Sequence, residues 1–194
     1  MPKSKSQPIA ADEFLTEEYE YIAQTAAQAN EDRARISSFY LIAVGSLIAT
    51  IFGTQFFDPD FFTRSIKFMF SGIFLLLTLM GTSTVMQLAK LRAAWYESML
   101  AMNQLKDFMI SQNKEISKAL RWTSRTLPPK YKTSSISFYQ AREAAILSGV
   151  TFTASIHFAQ YALGLNSWNN WLISAVCGII VVVLQLAVYK RALN

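Results

Sequence analysis

The sequence predicts an all-α membrane protein with four transmembrane helices and two long cytoplasmic helical extensions. Residues 36–57 and 68–89 contain no Asp, Glu, Lys or Arg, and the run 144–189 also lacks them. A bilayer core about 30 Å thick needs roughly 20 apolar residues of helix. The last run is too long for one crossing and carries a turn signal at 166–170, so it predicts two further spans, 138–165 and 171–189.

The distribution of basic residues gives an orientation. Four Lys and Arg residues precede the first span, ten lie between the second and third spans, and two follow the fourth. Only Arg64 and Lys67 lie in a loop on the other side. Because cytoplasmic loops carry the excess of Lys and Arg, we expect both termini and the long central loop to be cytoplasmic.

Residues 1–11 predict a disordered tail that opens with prolines and lysines. Asp12 is a suitable N-cap for a cytoplasmic helix over 12–35. One face of that helix is apolar, since hydrophobic residues recur there at steps of three and four. Its members are Leu15, Tyr19, Ile22, Ala26 and Ala29.

The second span is followed by a cytoplasmic helix predicted over 90–122, because no Gly or Pro interrupts the chain before Pro128. A linker over 123–137 follows. An apolar stripe with a repeat near 3.5 residues indicates a helical partner, either the N-terminal helix or the same helix of another copy. The stripe consists of Leu88, Leu91, Trp95, Met99, Met102, Leu105 and Met109.

Small residues at four-residue steps occur in two spans. The first span carries Gly45, Ala49 and Gly53, and the third carries Ala145, Gly149 and Thr153. Such spacing lets helix backbones approach closely in lipid. The pattern fits association between subunits in a homo-oligomer, and it equally fits packing within one chain.

The third span is the most polar, and we expect its polar side chains to face a bundle interior. His157 is the sole histidine and lies within this span. With no carboxylate inside any span, we interpret His157, like Gln160 and Gln185, as an interhelical hydrogen-bonding group. A proton relay or pH sensor is the alternative for an ionisable residue at that depth.

No catalytic, cofactor-binding or metal-binding motif is recognisable, so we expect a protein that is not an enzyme and carries no cofactor. Cys177 is the single cysteine and lies in an apolar segment, where a thiol is inert. The net charge of +5 would also fit a protein that binds nucleic acid. Basic cytoplasmic loops that contact anionic lipid headgroups explain this charge better, and no nucleic-acid module is present.

The first 120 residues follow the order helix, span, short loop, span, helix, and Asn30-Glu31-Asp32-Arg33-Ala34-Arg35 precedes the first span. This arrangement resembles the SLATT-type domains, small two-span bacterial effector modules thought to perforate membranes. The resemblance covers about 60% of the chain and implies location in a bacterial inner membrane. The C-terminal hairpin departs from the two-span pattern.

Three functional hypotheses follow. The first is a non-enzymatic, oligomeric integral membrane protein that forms or gates a pathway across the bilayer, as an effector or pore. The second is a membrane-anchored helical platform that recruits a cytoplasmic partner. The third is a small transporter that uses the polar third span.

The predicted topology is testable by cysteine labelling in a variant that lacks Cys177. Single cysteines at Ser6, Ser134 and Asn194 are expected to react only from the cytoplasmic side, and one at Asn169 only from the opposite side, because of the positive-inside distribution. Labelling of Ser134 and Asn169 from the same face would contradict the topology.

Overall fold

The structure, a computed structural model, describes residues 11–57, 63–165 and 167–194. Within these ranges the chain is all-α, as predicted, with four long helices and two short 3₁₀ turns between the second and third helices. The helices are α1 (Ala11–Phe57), α2 (Arg64–Gln112), α3 (Ile136–Ala162) and α4 (Trp168–Leu193). The 3₁₀ turns comprise Lys114–Lys118 and Ser124–Thr126.

Three helices are long and apolar enough to cross a membrane: α1, α2 and α4. Helix α3 has 27 residues, a length of about 40 Å, but it is not among them by composition. The hydroxyl and amide side chains of α3 explain the difference. The fourth crossing therefore remains a prediction.

The predicted element boundaries hold in part. Helix α1 already includes Asp12, so Asp12 is not its N-cap, and the predicted tail lies outside the described residues except for Ala11. The loop between the first two spans, residues 58–62, also lies outside them. Helix α3 begins at Ile136, where the Ser135 side chain accepts a hydrogen bond from the Phe138 amide.

The predicted continuation of α2 to residue 122 is wrong, since the helix ends at Gln112. Asn113 adopts an extended conformation, and its side chain accepts a hydrogen bond from the Glu115 amide at 3.0 Å. Asn competes for backbone groups in this way and favours caps and turns. A helix can thus end without Gly or Pro.

Of the residues that the structure describes, 11–31 and 93–129 form the first compact unit. Of the predicted apolar face of α1, Ile22, Ala26 and Ala29 are buried and Leu15 is half-buried, whereas Tyr19 is 37% exposed. From the predicted stripe, Leu105 and Met109 line a groove of about 540 Å³ together with residues of α1. The N-terminal helix of the same chain is therefore one partner of the stripe. Within this unit Trp95, Met99 and Met102 are half-buried.

The second unit comprises the described residues among 32–92 and 130–194, and it buries an unusual share of small and polar side chains. Large apolar residues lie both inside, as Phe70, Phe74 and Leu88 do, and on the surface, where they cover much of α4. In α4 the buried residues form one narrow stripe: Ser174, Gly178, Gln185, Tyr189 and Leu193. Leu88, the first residue of the predicted α2 stripe, is fully buried in this unit, and Leu91 is half-buried.

Helices α3 and α4 form a closely packed hairpin. A Cβ on Gly178 would overlap Thr153 Oγ1 and lie 2.6 Å from the Gly149 carbonyl oxygen. A Cβ on Gly149 would in turn lie 2.8 Å from the Gly178 carbonyl oxygen. Ala145 is fully buried. The small residues of the third span therefore serve packing within the chain, against a glycine of α4 that the sequence pattern did not identify.

Gly178→Ala is expected to destabilise the protein by about 1–3 kcal/mol, because the added methyl group meets backbone atoms that do not yield easily. Gly72→Ala is the matched control, since a Cβ at this exposed helical position meets nothing within 4 Å. Thermal unfolding in mild detergent measures both variants. Equal melting temperatures for the two would contradict the close approach of α3 and α4.

Candidate functional site

The second unit contains a set of hydroxyl and amide side chains, here named the polar seam, that joins α2, α3 and α4 by hydrogen bonds. Helix α2 contributes three residues to the seam, and α3 and α4 supply their partners. The members are Ser71, Thr78 and Thr82 of α2, Ser148, Thr151, Ser155 and Gln160 of α3, and Ser174 and Gln185 of α4.

The seam begins near the C-terminal end of α3. Ser174 donates a hydrogen bond to Gln160 Oε1 at 2.9 Å, which links α4 to α3. Ser71 and Ser155 then form a reciprocal pair, in which each hydroxyl donates to the other residue's carbonyl oxygen at 2.8 Å. A reciprocal pair of this kind fixes both the spacing and the register of two helices.

The central part of the seam joins three helices at one level. The hydroxyls of Thr78 and Thr151 lie 3.0 Å apart, and Ser148 donates to the Thr78 carbonyl oxygen at 3.1 Å. Gln185 Nε2 donates to Ser148 Oγ at 2.7 Å and to Thr82 Oγ1 at 2.8 Å. Gln185 thus connects α4 to α3 and α2 at once, and its loss would leave two hydroxyls without this donor.

Tyr40 of α1 packs beside this central level and is 1% exposed. Its hydroxyl lies so close to Gly81 of α2 that a Cβ there would overlap it, and the same Cβ would lie 2.7 Å from Ser148 Cβ. Only a glycine at position 81 leaves room for the tyrosine of α1 and the serine of α3 together. Gly81 therefore lets α1 reach the seam.

The seam is closed in the described part of the chain. Ser148 and Ser174 have no exposed surface, and Thr151 is 1% exposed. Along α3 the seam extends from Ser148 to Gln160, about 18 Å. Its hydroxyls bond to each other and to backbone carbonyl oxygens, so the seam holds helices together and does not form an open channel.

The structure confirms two of the three predicted intramembrane polar residues as interhelical hydrogen-bonding groups, namely Gln160 and Gln185. For His157 the prediction is wrong, because its side chain is exposed. The imidazole stacks on Tyr161, one turn further along α3, with ring centroids 6.4 Å apart and planes 11° apart. Lys67 Nζ lies 3.4 Å from the centroid of the same Tyr161 ring.

The small residues of the first span face outward. Gly45 and Ala49 are exposed, and Gly53 is half-buried. A Cβ on either glycine would meet no atom within 4 Å. Among the residues that the structure describes, neither glycine is therefore closely packed against another helix, unlike Gly149 of the third span.

Among the residues that the structure describes, no group of three or more His, Cys, Asp and Glu side chains is placed to hold a metal ion. Cys177 is half-buried and has no disulfide partner. The predicted absence of enzymatic activity and of a cofactor remains a prediction.

No family model, no curated protein and no solved structure matches this chain. The resemblance to SLATT-type domains remains a prediction that rests on the residues quoted for it.

Gln185→Leu is expected to lower thermal stability, because it removes two hydrogen bonds between helices. Each such bond is worth about 0.6 kcal/mol on average in membrane proteins, so the expected loss is about 1–2 kcal/mol. Gln87→Leu is the matched control, since Gln87 is exposed and bonds only to Ser83 of its own helix. Equal effects of the two changes on detergent unfolding would show that the seam does not hold the bundle together.

Proposed function

We propose that this chain is a non-enzymatic integral membrane protein that self-associates in the bilayer and acts by forming or gating a pathway across it. The observation that carries the proposal is the outward face of α1, where Gly45 and Ala49 are exposed and a Cβ on Gly45 would meet no atom within 4 Å among the residues that the structure describes.

Membrane placement rests on the apolar surface of the second unit. Leu76, Ile179 and Val183 are each about three-fifths exposed, and similar residues cover much of α4. A contiguous apolar surface of this extent is rare on soluble proteins. Helix α3 joins the other three as a fourth crossing, because Ser148, Thr151, Ser155 and Gln160 lie in the seam while Ile146 and Val150 are exposed. Both termini then lie on the cytoplasmic side.

The outward face of α1 is suited to a helix of another copy. Gly45, Ala49 and Gly53 let two backbones approach, and association in lipid depends on such packing since lipid tails are as apolar as leucine. Ser46 and Thr50 are exposed beside them, and the Thr50 hydroxyl already donates to the Ser46 carbonyl oxygen at 2.9 Å. We therefore expect a homo-oligomer with α1 at its centre.

The pathway we propose runs between copies and not through one chain. The polar seam is closed and its groups bond to one another, so a single bundle offers no route for ions. Exposed hydroxyls of α1, at Ser38, Ser46 and Thr50, supply a polar lining where several copies meet. The same hydrogen-bonded seam supports a pathway between copies over the small-transporter hypothesis.

A second candidate function, the cytoplasmic recruiting platform, is favoured by exposed aromatic residues of the first unit. Tyr21 is 65% exposed, Trp122 is 57% exposed and Phe14 is 54% exposed. Aromatic side chains are enriched in protein interfaces. This candidate needs no pathway across the bilayer.

The proposal is tested by Gly45→Ile and Ala49→Ile in liposomes. A large side chain prevents close approach of α1 helices, so both oligomer size and ion or dye flux are expected to fall. Gly72→Ile is the matched control, because position 72 is also exposed and free of contacts within 4 Å.

Oligomers detected by native mass spectrometry and flux from reconstituted vesicles are measured on the same preparations. Flux that persists in a monomeric Gly45→Ile protein would refute a pathway between copies. An oligomeric wild type with no flux under any condition would favour the platform.

A further inference from the structure

A groove of about 370 Å³ lies between α1 and α2 in the second unit. Ligand sites in proteins commonly have volumes of about 300–1,000 Å³, so the groove is large enough to hold part of a lipid-sized ligand. Its lining includes Arg35 and Phe39 of α1 and Met80, Ser83, Thr84 and Gln87 of α2.

The lining changes from polar to apolar along the groove. Arg35 and Gln87 are the lining residues nearest the predicted cytoplasmic ends of the first two spans, whereas Phe39 and Met80 lie deeper in those spans. The distance from Gln87 to Met80 is about 10 Å along α2. Phe39 is 65% exposed and Met80 is 39% exposed, so apolar surface is open to a ligand. A phospholipid in a bilayer has the same order of polarity, with its phosphate at the boundary and its acyl chains inside.

The polar end of the groove offers hydrogen-bond donors. Thr84 is only 6% exposed, and its hydroxyl has no hydrogen-bond partner among the residues that the structure describes. Gln87 Nε2 donates to Ser83 Oγ at 3.1 Å, which leaves the second Gln87 N–H and the Ser83 O–H for a ligand. Because a buried hydroxyl without a partner costs free energy, a ligand that accepts a hydrogen bond from Thr84 gains affinity.

Arg35 supplies the charge at this end. Its side chain is 78% exposed, and its ion pair with Asp32, at 3.8 Å between Nη1 and Oδ1, is longer than a hydrogen bond. Exposed pairs of this kind contribute little, so the guanidinium keeps its donors for another anion. Guanidinium groups present a fork of donors that matches phosphate oxygens. None of the described residues that line the groove is Asp or Glu, so no carboxylate of the lining opposes an anion.

We propose that this groove is a specific site for an anionic phospholipid, with the phosphate at Arg35 and Thr84 and an acyl chain along Phe39 and Met80. A soluble phosphate would use the donors but would gain nothing from the apolar part of the groove. Basic pockets between transmembrane helices on the cytoplasmic side bind lipid head groups in this manner. The proposal rests on the membrane placement proposed above, but not on self-association or on a pathway.

The first test uses the full chain in maltoside micelles, with lipid binding counted by native mass spectrometry. Dioleoylphosphatidylglycerol is expected to bind in preference to dioleoylphosphatidylcholine. Arg35→Gln is expected to weaken binding of the anionic lipid by about tenfold, since it removes a charge-assisted contact. Arg191→Gln is the matched control, because Arg191 is also exposed, lies just beyond the predicted cytoplasmic end of the fourth span, and is outside the groove. It is expected to change binding little.

A second pair of variants tests the groove while every charge stays in place. Ser83→Phe puts a large side chain into the groove and is expected to weaken binding of phosphatidylglycerol by a similar factor. Gly72→Phe is its control, since position 72 is exposed, lies outside the groove, and has no atom within 4 Å of an added Cβ. If both phenylalanine variants bind the lipid as the wild type does, the groove is not the site.

Two further arms separate the possible sources of the phosphate. Inorganic phosphate and glycerol 3-phosphate, at the concentration of the lipid, are expected to leave the melting temperature unchanged, while phosphatidylglycerol raises it. Equal weakening by Arg35→Gln and Arg191→Gln would overturn the proposal in favour of general charge attraction. Stabilisation by the soluble phosphates but not by the lipid would overturn it in favour of a soluble ligand.

If Arg35→Gln does not fold, as judged by helicity without lipid, the decision passes to Arg35→Lys and its control Arg191→Lys. Loss of lipid preference in the first alone supports the site, and any other result with this pair overturns it. Because binding is measured on protein in micelles, lipid preference persists even if self-association through α1 fails. Failure of membrane placement is visible earlier, as protein that stays in solution without detergent.

Discussion

Hydrogen bonds between α2, α3 and α4 are the constraint on which the second unit depends. Hydrocarbon offers no partner to a hydroxyl or an amide, so α3 could not lie in a bilayer unless its polar groups were satisfied by other helices. The reciprocal pair of Ser71 and Ser155 and the three-helix junction at Gln185 meet that requirement. In the proposed bilayer placement the hydrophobic effect does not drive helices together, so these bonds and close packing at glycine would take its place.

The first and third predicted spans share a pattern of small residues, but the pattern has a different role in each. Gly149 faces Gly178 at backbone contact distance, so α3 and α4 form a fixed hairpin. A Cβ on Gly45 would meet no atom within 4 Å among the residues that the structure describes, so α1 presents an unfilled surface of the same type. The fixed interior and the outward face of α1 therefore have distinct physical roles.

The sequence predicted the helices and their apolar faces because period and charge are local properties. Ile22, Ala26 and Ala29 are buried as their spacing required. The sequence could not predict which way the His157 side chain points. A polar residue in a predicted span can face the bundle interior or stack on a neighbouring ring, and His157 stacks on Tyr161. Helix α2 ends at Gln112, where Asn113 is extended and its side chain accepts a hydrogen bond from the backbone. The hydrophobic pattern of the sequence carries no signal of this local hydrogen bond.

Only part of the polar seam could be predicted from the sequence. Gln160 and Gln185 are conspicuous in apolar segments, but the hydroxyls of α2 are not, because serine and threonine also bond to their own helix. Their spacing was the available signal, since Thr78 and Thr82 lie one turn apart. Gly81 and Gly178 gave no signal of their own, because close approach depends on which helix lies opposite.

The central claim is that copies of the chain meet along α1, and cross-linking in native membranes tests it most directly. A single cysteine at Gly45, in a variant with Cys177→Ala, is expected to form a disulfide-linked dimer on mild oxidation. A cysteine at Gly72, equally exposed, is expected to remain monomeric. Dimers at Gly72 and none at Gly45 would contradict the account.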